Sequence, residues 1–284
     1  MQEKRRWIIT VKSGISLIRA NFMMKHFIIA ISLLMAVGCG EQKKGTLFVD
    51  QKLEGCVRDA IGKNDGELTP SDLGRVTELY CKNLRSLEGV QHLQNLRAAG
   101  FSNGSYTDLS PLVHLKSLQI LHLSHSNLED ISVLSELKSL EQLYLSDNKI
   151  SNIEPLKNMN TLKKLRVNRN NIEQVDVIKS MSSLEDFVAY QNKIASLPDF
   201  AVLKNLHNLD LGNNRIADDP NLSSVLRVDK VMLLGNNIHS VEWLKGEKKT
   251  TKLNLLENPL ECEKIDAELK QQIRAGHIIV DCQI

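Results

Sequence analysis

Six asparagines recur at a constant interval of 22 residues: Asn148, Asn170, Asn192, Asn214, Asn236 and Asn258. Two residues after each stands an aliphatic side chain, at Ile150, Ile172, Ile194, Ile216, Ile238 and Leu260. Apolar residues precede each Asn by five and three places, as in Leu143/Leu145, Leu165/Val167, Leu209/Leu211 and Leu253/Leu255. A third apolar column lies three residues earlier, at Leu118, Leu140, Leu162, Leu184 and Leu206. Extended towards the N-terminus, the frame passes through Leu121, Leu123, Leu128 and Phe101, with Ser126 and Gly104 in the Asn position. A unit this short cannot bury its apolar side alone, so each must stack on its neighbours. The Leu-x-Leu alternation has the two-residue period of a strand, and equal units set successive strands parallel and in register. About a dozen residues remain for each return path, which predicts short 3-10 or extended turns opposite the strands, around Pro111, Pro155 and Trp243. A buried Asn amide, with two donors and one acceptor, suits the backbone groups that face inwards where the chain turns after each strand.

Together these columns spell L-x-x-L-x-L-x-x-N-x-I, the signature of leucine-rich repeats. Leucine supplies 43 of 284 residues, whereas aromatic residues make up only 4%. The wording of Asp108-Leu109-Ser110-Pro111-Leu112 and of Ser86-Leu87-Glu88-Gly89-Val90-Gln91-His92-Leu93 resembles the internalin-like class of bacterial leucine-rich repeat proteins. The resemblance covers about residues 47–284 and implies an α/β fold: a right-handed solenoid with a concave parallel sheet, short convex turns and a helical cap at each end. It implies a monomeric protein-binding module whose ligand is chosen by the exposed residues of the concave sheet. Three positions depart from the pattern: Ala99 and Ala189 occupy leucine positions, and Asp219 replaces the aliphatic found at Ile153, Val175, Leu197 and Val241. Thin packing is expected there.

Solenoid ends must be covered, and both flanks supply candidates. Within 47–75, Leu53, Cys56, Val57, Ala60 and Ile61 follow a helical spacing that ends at Gly62. Thr69-Pro70-Ser71-Asp72 then offers a second helix start, with Thr69 as cap and Pro70 in the first position. The repeats are expected over 76–260. Within 261–284, Ile265, Leu269 and Ile273 form a helical stripe ended by Gly276, and Ile278-Ile279-Val280 follows as a strand. Cys56 falls on the apolar side of the first cap and Cys81 on the strand Leu79-Tyr80-Cys81, while Cys262 opens the second cap and Cys282 closes it. These placements predict Cys56–Cys81 and Cys262–Cys282 disulfides, with buried free thiols as the alternative. Loops of such lengths stabilise by roughly 3 kcal/mol in the chain-entropy account.

The fifth cysteine, Cys39, follows Phe27–Gly38, an uncharged apolar run preceded by Lys25 and His26. A membrane span needs roughly 20 apolar residues, so this run fits the core of a secretory signal. Residues 1–22 then read as a mis-assigned start or a basic lead before Met23 or Met24. Ala36-Val37-Gly38-Cys39-Gly40 resembles the lipobox of bacterial lipoproteins, with Ala36 where Leu is usual. That resemblance implies cleavage after residue 38, acylation of Cys39 and a tether over 39–46. Several acyl chains give stable anchoring where one is marginal. With Gly40 rather than Asp after Cys39, it implies the outer membrane of a Gram-negative envelope. The whole chain carries a net charge of +2. Removing 1–38 leaves 30 basic and 33 acidic residues, a net charge of −3, which gives no case for nucleic acid.

Motifs for catalysis are absent or fall into the repeat frame. Gly100-Phe101-Ser102-Asn103-Gly104 matches the G-x-S-x-G elbow by letters, but Phe101 and Gly104 are repeat positions. His122 and His125 have no carboxylate or cysteine cluster beside them in the sequence. No P-loop or dinucleotide fingerprint appears. The chain reads as a non-enzyme without metal or cofactor. The surface remains, and the middle of the strand face collects His122, His125, Tyr144, Asp147, Arg166, Arg169 and Tyr190. Tyr and Arg are enriched in binding hot spots, so these residues are expected to hold a protein partner, with the membrane touched only through the lipid. The alternative is a structural envelope protein that contacts glycan or lipid with no specific protein partner.

Overall fold

The structure, a computed structural model, describes residues 47–245 and 249–283. The chain divides after Leu47, and the unit described here is the one that begins at Phe48. The signal segment, Cys39 and the tether lie outside the described residues.

Ten parallel strands form one sheet in sequence order: β1 Glu78–Tyr80, β2 Ala98–Gly100, β3 Ile120–His122, β4 Gln142–Tyr144, β5 Lys164–Arg166, β6 Asp186–Val188, β7 Asn208–Asp210, β8 Lys230–Met232, β9 Lys252–Asn254 and β10 Ile278–Ile279. Nearly every strand is three residues long because the repeat spares only its x-Leu-x core for pairing. The register follows the period: Leu121 pairs with Leu143, Leu143 with Leu165 and Leu165 with Phe187. These central side chains are all fully buried, so the leucine column is the core. On the return paths stand 3-10 turns, including Ser110–His114, Glu154–Leu156 and Glu242–Leu244, the segments that contain Pro111, Pro155 and Trp243. The fold is a leucine-rich repeat solenoid of the α/β class.

The asparagines hold adjacent repeats together. Asn148 Nδ2 donates to the carbonyls of Leu145, in its own repeat, and Leu123, in the one before, at 2.9 and 3.0 Å. Its Oδ1 accepts from the N–H groups of Ser126 and Leu128, both at 3.0 Å. Asn170, Asn192, Asn214, Asn236 and Asn258 repeat the two donations, each to its own repeat and the preceding one. An unsatisfied buried backbone group costs about 1–3 kcal/mol, so every amide removes several such penalties at once. The residue before each Asn adopts a left-handed backbone, at Asp147, Arg169, Gln191, Asn213, Gly235 and Glu257, and so does His125 before Ser126. β-Branched residues are strongly disfavoured there, and none occurs.

The Gly104 position is filled differently. A Cβ on Gly104 would come within 2.0 Å of the Tyr106 ring, so the missing side chain is what admits that ring. The Tyr106 hydroxyl donates to the Phe101 carbonyl at 2.5 Å, the bond an Asn amide makes elsewhere to the residue three before it. It also meets Ser126 Oγ at 3.2 Å. Burial pushes the Tyr106 phenol up to about 12.

Both alanines lie inside the core. Ala99 is fully buried two residues before the fully buried Phe101, and Ala189 two residues after the fully buried Phe187. Residues two apart along an extended chain share a face, so each alanine lies on the same side as a phenylalanine ring. Asp219, partly exposed, accepts hydrogen bonds from the N–H groups of Leu197 and Asn221 at 3.1 and 2.7 Å. It exchanges apolar burial for a link between two return paths.

Helix α1, Gln51–Ile61, is capped by Asp50 and ends on left-handed Gly62. It buries Leu53 and Val57 and half-buries Cys56 and Ile61, whereas Ala60 is exposed. The short α2, Pro70–Leu73, has a reciprocal capping box between Thr69 and Asp72. At the other end α3, Ala267–Arg274, buries Leu269, while Ile265 precedes the helix and not within it as the stripe predicts. Disulfides join Cys56 to Cys81 and Cys262 to Cys282, with Cα–Cα distances of 6.0 and 5.6 Å. The first ties α1 to the residue after β1; the second closes the C-terminal segment on itself.

Candidate functional site

Positions flanking each buried leucine project from the opposite face of the sheet. The third residues of β1 to β9 therefore make one column: Tyr80, Gly100, His122, Tyr144, Arg166, Val188, Asp210, Met232 and Asn254. Its N-terminal part is a stacked series. The Tyr80 and His122 rings meet edge-on with centroids 6.2 Å apart, across Gly100. A Cβ at Gly100 would lie 2.6 Å from the Tyr80 ring, so only glycine leaves room for this contact. His122 and Tyr144 stack face to face, with centroids 4.1 Å apart and planes 2° from parallel. The Arg166 guanidinium lies 5.9 Å from the Tyr144 centroid, within cation–π range. Arg166 Nη2 is also 3.0 Å from Asp186 Oδ2. Partial burial pushes the His122 imidazole below its ordinary value, which favours the neutral, stacked ring.

A second row runs along the left-handed turn positions. Asp147 lies 3.5 Å from His125 and 3.4 Å from Arg169, and Arg169 Nε donates to Gln191 Oε1 at 3.0 Å. Tyr190 meets the same row of turn residues further along, its hydroxyl accepting from Asn213 Nδ2 at 2.6 Å. The seven residues singled out in the sequence thus form two adjoining ladders, His122–Tyr144–Arg166 and His125–Asp147–Arg169, plus Tyr190. Sequence reasoning missed Tyr80 and Asp186. Tyr80 precedes Gly100 by 20 residues, outside the 22-residue frame, and Asp186 occupies the first strand position, a column the reading did not count.

Gly100-Phe101-Ser102-Asn103-Gly104 runs from the end of β2 into a turn, with Phe101 buried, so the strand-to-helix turn of a nucleophile elbow is not made. Among the described residues no cluster of three or more His, Cys, Asp or Glu side chains could hold a metal ion, and no helix is long and apolar enough to cross a membrane.

Residues 138–180 match the family model for leucine-rich repeats in two copies, and residues 107–150 match a second leucine-rich repeat model. The chain carries leucine-rich repeats. Comparison with curated protein sequences returns no match. Among solved structures, the chain is similar to an internalin, InlF, of Listeria monocytogenes, with a TM-score of 0.68 and 22% identity over 82% of this chain and 76% of that one. Internalin C2 of the same organism gives a TM-score of 0.63 at 22% identity, covering 84% of this chain and 95% of the other. A leucine-rich repeat protein of Leptospira interrogans gives 0.60 at 23%, covering 71% and 52%. At these identities the likeness is one of fold.

Proposed function

We propose that this chain is a non-enzymatic, lipid-anchored protein that binds another protein outside the cytoplasm through the concave face of its repeat sheet. The observation that carries the reading is the ladder from Tyr80 through His122 and Tyr144 to Arg166 and Asp186. Side chains already stacked and ion-paired lose little freedom when a partner arrives, and so bind at low entropic cost. Tyr and Arg are the types that dominate interface energies. The His125–Asp147–Arg169 row and Tyr190 extend the same surface. Export is supported by the two disulfides, which persist in oxidising compartments. Anchoring rests on Cys39, and the outer membrane on Gly40.

Crosslinking in intact envelopes, followed by capture of the chain, tests recognition. One stoichiometric protein is expected, lost on Arg166→Glu and on Tyr144→Ala with thermal stability unchanged. Capture unaltered by both substitutions refutes the site. A fatty acid probe should label the chain and fail to label Cys39→Ser; equal labelling removes the anchor.

A further inference from the structure

Beyond the aromatic ladder the same sheet face becomes apolar. Val188 and Met232 flank Asp210 in register on β6, β7 and β8, and all three are partly exposed. Beside them Leu234 and Tyr190 close over the bare backbone of Gly212, where a Cβ would lie 2.8 Å from Leu234 Cδ2 and 3.0 Å from Tyr190 Cδ2. Leu256, partly exposed, follows at the equivalent place of the next repeat.

Asp210 is the anomaly in this patch. Its carboxylate accepts one hydrogen bond, from the N–H of Gly212 at 3.1 Å, and among the described residues no cation pairs with it. Its neighbour Asp186 is engaged by Arg166 and by Asn208 Nδ2, at 3.0 and 2.6 Å. Lys230, at the first position of β8, forms no ion pair with Asp210. Burial first, and then the like charge of Asp186, hold the Asp210 carboxyl above its ordinary value. A half-buried carboxylate among apolar side chains gains most from a cation that arrives already sheltered from water.

We propose that Val188, Asp210, Met232 and Leu234 receive a basic side chain, Lys or Arg, flanked by aliphatic side chains on a polypeptide partner. The cation pairs with Asp210, and its aliphatic neighbours lie against the partly exposed Val188, Met232 and Leu234. This rests on the reading of the concave face as a protein-binding surface, and it gives the partner a chemistry.

A phage-displayed library of random dodecapeptides, panned on the chain with both disulfides formed, is the probe. Enriched peptides should carry Lys or Arg within two positions of Leu, Ile, Met or Phe. Synthetic copies should lose at least about tenfold in affinity on Asp210→Asn and on Leu234→Ala, and change less than about twofold on Tyr144→Ala. Enrichment without basic residues, or no enrichment, overturns the proposal. Peptides sensitive to Tyr144→Ala and Arg166→Glu but not to Asp210→Asn overturn it while leaving the broader reading intact. Peptides indifferent to all four substitutions count against both.

Discussion

The Tyr106 hydroxyl donates to the Phe101 carbonyl through space left open by Gly104. One repeat therefore closes its turn with a phenol where the six from Asn148 to Asn258 use an amide. Tyr106→Phe keeps the ring and removes the bond, leaving a buried carbonyl short of a donor, and should cost about 1–3 kcal/mol in denaturant unfolding. Gly104→Ala should cost at least as much, because the ring and a Cβ cannot share the site. Equal midpoints for wild type and Tyr106→Phe would remove the phenol from this role.

The same residue makes a pH prediction. The folded phenol is raised to about 12 from an ordinary value of 10.0. Its contribution is whole below pH 10 and is lost as pH rises from 10 towards 12, because the unfolded chain then ionises first. Unfolding free energy should fall across that interval, by on the order of 2 kcal/mol from this group. Tyr106→Phe should fall less steeply over the same interval.

Asn170 joins two repeats through donations to Leu145 and Val167 at 3.0 and 2.9 Å and accepts from Ile150 N–H. Asn170→Ala strands the Ile150 N–H and takes one of two amide donors from the Leu145 and Val167 carbonyls, which Asn148 and Asn192 still serve, so it should cost about 1–3 kcal/mol. Asn170→Asp removes the donors but retains the acceptor, so it should recover only part of that loss. Thermal melts of the three proteins give the ranking.

Asp210 has the opposite sign. A carboxylate raised in the folded state disfavours folding once it ionises, so Asp210→Asn should stabilise at neutral pH. The gain is below about 1 kcal/mol, since Asp210 keeps partial solvent contact. It should vanish as pH falls below the ordinary carboxylate range, where the wild-type group is protonated in both states. Melting temperatures at pH 4 and pH 7 test the difference of differences.

Intact mass should rise by four hydrogens on reduction of the described unit, one pair for each of Cys56–Cys81 and Cys262–Cys282. Cys56→Ser with Cys81→Ser should lower stability by roughly 2–4 kcal/mol, and fray α1 from the first strand. An unchanged midpoint would mean that α1 is held by Leu53 and Val57 alone.

The 22-residue period alone determined the strands, their register and the buried columns, because stacking equal units leaves one way to align Leu121, Leu143 and Leu165. The cysteine pairs were legible for a related reason: each pair lies within one end of the chain. The exposed face was legible only as a roster. His122 and Tyr144 were named as neighbours, but their stacking depends on ring orientation, and Tyr80 joins them through the bare backbone of Gly100. Gly104 looked like a missing Asn until the tertiary structure put Tyr106 into its place. In sequence Asp210 is one more polar residue at a strand position. Whether such a group finds a partner depends on side chains about 22 residues away on either side and on which of them are already engaged. A repeat pattern sets the spacing of those side chains but not their choice of contact, and that choice was left to the packed structure.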